Sequence, residues 1–85
     1  MSKKNISKPN AQELHNPSRE YISHLLDSIQ ENIPVSQVAK LIGVNRSTIY
    51  NYLRDEDDKR FTPCPYVVQF ALEELLKNIR KLHEK

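Results

Sequence analysis

The chain has one glycine, one cysteine and no tryptophan in 85 residues. Each shortage removes a class of function. A single glycine, Gly43, cannot build a glycine-rich loop around a phosphate. Cys64 has no second cysteine to pair with, which excludes a disulfide-stapled secreted scaffold and fits a reducing compartment. No apolar run approaches the roughly 18 residues of a membrane span. The basic start Met1–Lys8 leads into polar sequence rather than an apolar signal core, so a soluble cytoplasmic protein is expected. Nor is there a strand-like alternation long enough to argue for a sheet.

What remains is one small domain, 38% hydrophobic and 28% charged, enough for a modest core and too short for a cleft between domains. Catalytic groupings are missing. Cys64 lies between Pro63 and Pro65 with no histidine near it in sequence, and His15, His24 and His83 are scattered. No enzyme, metal or cofactor is expected. The acidic run Asp55–Asp58 lacks the spaced ligands and turn glycine of a calcium loop and reads as a solvated turn. The net charge of +2 is small because that run offsets a basic remainder, so a basic face can exist beneath the total.

The spacing predicts an all-α domain of about four helices. Residues 1–15 are polar, contain Pro9 and show no periodicity, so they read as a flexible arm. Its Lys3, Lys4 and Lys8 either follow a nucleic-acid groove or are simply solvated. The domain proper is expected over 16–85. Asn16-Pro17 looks like a helix start, and Ile22, Leu25, Leu26 and Ile29 carry that helix to about residue 31, where Ile33-Pro34 breaks it. A second helix is expected over 35–42, ended by Gly43, and a third from about Asn45, as its cap, to Arg54. A last helix spans about 66–84 without a breaker.

Residues 35–54 meet the requirements of a helix–turn–helix together. Ala39 is small where the second helix must cross the first. Gly43, four positions later, tolerates the left-handed turn. Val38, Ile42, Val44, Ile49 and Tyr52 supply the buried seam, and the other side of the second helix is left polar. An ordinary helical hairpin with a solvated face would not need all of these in register.

Such a unit docks on double-stranded DNA with its second helix in the major groove. Ser36 and Gln37, on the first turn of the first helix, suit a phosphate beside its positive end. Arg46 suits guanine, Asn45 or Asn51 suits adenine, and Ser47 and Thr48 suit phosphate or, for Thr48, a thymine methyl. Tyr50 and Arg54 complete the candidate contacts, Tyr50 through a hydrogen bond from its hydroxyl to phosphate. Along the last helix Val68, Leu72, Leu75, Ile79 and Leu82 form a 4-3 seam, while Tyr66 and Phe70 face the other way. That pattern predicts a homodimer through the seam, reading an inverted repeat with half-sites roughly 34 Å apart, in preference to the alternative of a single-chain core that takes all these groups inside.

Beyond the motif, Pro63-Cys-Pro-Tyr-Val-Val-Gln-Phe-Ala-Leu-Glu-Glu-Leu-Leu76 resembles the C-terminal segment of the anti-CRISPR-associated (Aca) repressors of phages and mobile elements. The similarity extends back through Tyr52-Leu53, the acidic loop and Gly43 to Pro17–Leu26, covering about residues 16–77. It implies a dimeric, autoregulating repressor that binds inverted repeats in the promoter of an anti-CRISPR operon inside a bacterial host cell. Ser36, Gln37 and Ser47 stand where a family member has arginines, so those roles do not carry over. Arg46 is the available substitute, and a different operator follows. Two other readings stay open from the residues themselves: an accessory DNA-binding factor in recombination or excision, and a protein-interaction module without nucleic acid.

Overall fold

In the computed structural model, which describes residues 9–83, five helices run in the order α1 (Ala11–Leu14), α2 (Arg19–Gln30), α3 (Val35–Ile42), α4 (Arg46–Tyr52) and α5 (Tyr66–His83). There is no strand among the described residues. The protein is a small all-α domain. The lysines of the expected basic arm, and the expected helix end at residue 84, lie outside the described residues.

Local chemistry explains most boundaries. α2 begins at Arg19 because the Ser18 hydroxyl accepts the Tyr21 amide at 3.2 Å, and Asn16 Oδ1 in turn accepts the Ser18 amide. The cap is therefore Ser18, two residues after the expected Asn16, and Pro17 precedes the helix instead of opening it. At the other end, Asn32 and Ile33 both donate to the Ile29 carbonyl before Pro34 forces an extended backbone. α3 stops at Gly43, whose φ of +80° is the single positive φ among the described residues. That conformation lets the Gly43 and Val44 amides both reach the Ala39 carbonyl, at 2.9 and 3.0 Å. A Cβ at residue 43 would meet nothing within 4 Å, so an added side chain is opposed by the backbone alone. Gly43→Ala should accordingly cost about 1–2 kcal/mol, read as a lower urea midpoint. An unchanged midpoint would show that the turn does not need the left-handed conformation.

The core is assembled from every longer helix. α2 contributes Ile22, Leu25, Leu26 and Ile29, α3 Val35, Val38 and Ala39, and α4 Ile49 and Tyr52. Cys64 fills in from the loop, and α5 closes the core with Val68, Leu72, Leu76 and Ile79. Here the structure corrects the sequence reading. Val68, Leu72 and Ile79 face α2 within the same chain, with Leu75 half-buried at the edge of that packing, so they are not an interchain seam. The reason is the unmatched stripe on α2: its apolar face needs a partner of similar length, and the α5 ridge supplies it. Of the expected seam only Leu82 stays outside, 75% exposed. Tyr66, which is buried, and Phe70, half-buried, pack on each other, with His15 edge-on to Tyr66.

The segment read as an arm also departs from expectation over 9–15. Gln69 is 1% exposed, and its amide straps this segment to α5. Its Oε1 accepts the Asn16 amide at 2.8 Å, while Nε2 donates to the Leu14 carbonyl at 2.8 Å and to Glu73 at 3.0 Å. His15 Nε2 donates to the Cys64 carbonyl at 2.8 Å. A buried amide with both ends satisfied is stable where an unpaired one would be costly, so the strap and Gln69 depend on each other.

Candidate nucleic-acid interface

α3, the turn Gly43-Val44-Asn45 and α4 form a helix–turn–helix. Val38, Ala39, Ile49 and Tyr52 are buried at its centre, with Ile42 and Val44 half-buried beside them. Burial on this side leaves a second surface facing solvent. Ser36, Gln37, Lys40 and Leu41 are exposed on α3, and Asn45, Arg46, Ser47 and Tyr50 on α4 and its approach. Thr48 is half-buried on the flank of α4.

Residues 35–54 carry Lys40, Arg46 and Arg54 and no acid at all, so this stretch is basic despite the small total charge. Helix ends add to it. α3 starts after Pro34 and α4 after Asn45, and neither start has a side-chain cap. Asn45 takes the backbone position of a cap, with φ −75° and ψ 145°, but its side chain makes no capping bond and stands exposed. The first-turn amides of α3 are thus unclaimed by any cap, at the positive end of the helix dipole.

Two of the nine candidate contacts are not free. Asn51, near the end of α4, and Arg54, two residues past it, are both half-buried and engaged with each other and with the acidic loop. Arg54 Nε donates to Asn51 Oδ1 at 2.8 Å, and an Arg54 terminal nitrogen lies 3.6 Å from Asp58. The Thr62 amide donates to the Asn51 carbonyl at 3.2 Å, which ties the end of the loop to α4. Two turns, closed by Asp58 amide to Asp55 carbonyl and Phe61 amide to Asp58 carbonyl, shape the loop. Asp55, Glu56 and Asp57 remain exposed beyond it.

Arg19 is a functional position that the sequence reading missed. From the start of α2 its Nε donates to the Leu53 and Arg54 carbonyls, at 3.2 and 3.1 Å, satisfying the C-terminal end of α4. It sets how the second helix of the motif leaves the core. Nothing in the local pattern signals it, because its partners are 34 and 35 residues away.

Elsewhere, Cys64 is fully buried, and that burial pushes its thiol up to about 12, so it stays protonated and packs as a small apolar group. The Tyr21 hydroxyl donates to the Glu73 carboxylate, and burial with that bond raises it to about 12 as well. The Tyr21–Glu73 pair joins α2 to α5, and Cys64 lies in the core shared with Ile49 and Tyr52 of α4. An open cleft of about 920 Å³ lies between the 13–16 segment, α2 and α5, and no residue lining it comes from α3 or α4. Among the described residues no three histidine, cysteine or acidic side chains gather as metal ligands, and no helix is long and apolar enough to cross a membrane. Compared with known proteins, the chain matches no protein-family model, and no curated protein is significantly similar to it.

Proposed function

We propose that this protein is a sequence-specific double-stranded DNA-binding repressor that places α4 in the major groove. The observation that carries the reading is the acid-free surface of α3 and α4, with Arg46, Asn45, Ser47 and Tyr50 exposed on a buried helix–turn–helix scaffold. Arg46 offers the two-donor fork that matches guanine, and Asn45 the amide that matches adenine. Ser36, Gln37 and Lys40 then serve phosphate, next to the uncapped start of α3. Repression follows from occupancy: a domain this small competes with transcription by covering a promoter.

Binding as a pair on an inverted repeat is part of the proposal. With Val68, Leu72 and Ile79 committed to the core, support for pairing comes from Val67 and Leu82, which remain 77% and 75% exposed on α5. The resemblance to anti-CRISPR-associated repressors directs the search to the promoter of the protein's own operon. Selection from a random duplex library, with affinities titrated against salt, tests the reading. Enrichment of an inverted repeat whose affinity falls with salt is the expected result. No enrichment, with no duplex bound even at low salt, would overturn it.

A further inference from the structure

The acidic loop, read from sequence as a solvated turn, engages Arg54 through Asp58. Arg54 is the last cation of the acid-free stretch and lies two residues beyond the end of α4 at Tyr52. Free, it would be a phosphate ligand, adding affinity for any sequence. It is instead held from two sides, by Asn51 Oδ1 on Nε at 2.8 Å and by the Asp58 carboxylate at 3.6 Å, and is only 29% exposed. Asp58 is itself fastened. The Arg60 amide donates to its Oδ1 at 2.8 Å, and the Arg60 guanidinium spans both oxygens at 3.3 Å. These bonds and the two arginines hold the carboxyl below its usual range, so it is ionised at neutral pH. A carboxylate between two guanidiniums offers Arg54 the same kind of charge-assisted acceptor that a phosphate oxygen offers, and it is tethered four residues from Arg54.

We propose that Asp58 is a specificity-determining residue of the DNA-reading surface: it occupies Arg54 internally, withdraws one sequence-independent phosphate contact, and leaves discrimination to Asn45 and Arg46. This rests on the DNA-binding reading above. A backbone phosphate must displace a preformed partner to reach Arg54, and it must do so beside the exposed Asp55, Glu56 and Asp57. Binding that depends only on phosphates is weakened by this. Binding that reads bases through the first half of α4 is not.

The test is Asp58→Asn, which keeps the shape of the side chain and removes its charge. Affinity for a random-sequence duplex should rise about 3–5-fold, and the slope of log affinity against log salt should steepen by about 0.9, the value of one added phosphate contact. The ratio of operator to random-duplex affinity should fall. Asp57→Asn makes the same charge change in the exposed part of the loop and should alter affinity less, leaving the slope nearly as it was. In the double variant Asp58→Asn with Arg54→Ala, the gain should vanish. A rise no larger than that of Asp57→Asn, or one that survives Arg54→Ala, overturns the proposal while leaving the DNA-binding reading intact. Failure of both the unaltered protein and Asp58→Asn to bind any duplex at low salt removes the DNA-binding reading, and this inference with it.

Discussion

Leu72→Ala is expected to destabilise the monomer by about 2–5 kcal/mol, the usual range for emptying a buried leucine site. Leu72 is fully buried and sits among the α2 side chains Ile22, Leu26 and Ile29 in one core. A domain of this length has only about 4–13 kcal/mol to lose, so the variant should unfold at markedly lower urea and be partly unfolded without it. The same substitution separates the two roles of the α5 ridge. A core residue loses stability independently of protein concentration, whereas an interchain seam residue loses it in a concentration-dependent way. Urea midpoints at two protein concentrations a hundredfold apart decide between them. A midpoint that moves with concentration in the unaltered protein and not in Leu72→Ala would return Leu72 to an interface and overturn the packing described here.

Arg46→Ala should weaken operator binding by about 1–3 kcal/mol, roughly 5–150-fold, with little change in affinity for random duplexes. Arg46 is exposed on the first turn of α4 and makes no ion pair among the described residues, so its removal leaves the fold untouched and its loss is read in binding alone. Arg46→Lys divides the charge from the geometry. Lysine keeps the positive charge but not the planar pair of donors, so the salt slope should return while discrimination at that base pair does not. If Arg46→Ala weakens operator and random duplexes equally, Arg46 is a phosphate contact, and base reading passes to Asn45. If neither changes, Arg46 leaves the interface altogether.

These two residues show different degrees of legibility. Arg46 is visible in the sequence because the helix–turn–helix is a local object. Val38, Ala39, Gly43 and Ile49 span one short stretch, and spacing alone assigns them to seam or turn. Leu72 is harder. Its 4-3 spacing announces an apolar ridge on α5 and is silent about which surface covers it. Asn51 and Arg54 are legible as polar positions at the end of the motif, but their engagement is not. The i,i+4 spacing of Arg54 and Asp58 is a hint that becomes a contact only because the chain turns back at residues 55–61. Asn45 is a mixed case: its backbone position is as expected, and its side chain declines the expected bond.

By itself, the sequence determined the four longer helices, the break at Pro34, the left-handed turn at Gly43 and the identity of the side chains offered on α4, but not the short α1, which falls in the stretch read as an arm. Each depends on backbone preferences and hydrogen bonds that span a few residues, so they are encoded where they occur. Only the tertiary structure decided that the α5 ridge is committed to α2, that Gln69 straps the segment before α2, and that Arg19 fastens the end of α4. Those partners lie 34 to 55 residues apart in the chain. Their pairing is selected by which apolar faces and unsatisfied carbonyls are left over once the local elements have formed, and that remainder exists only in the packed molecule.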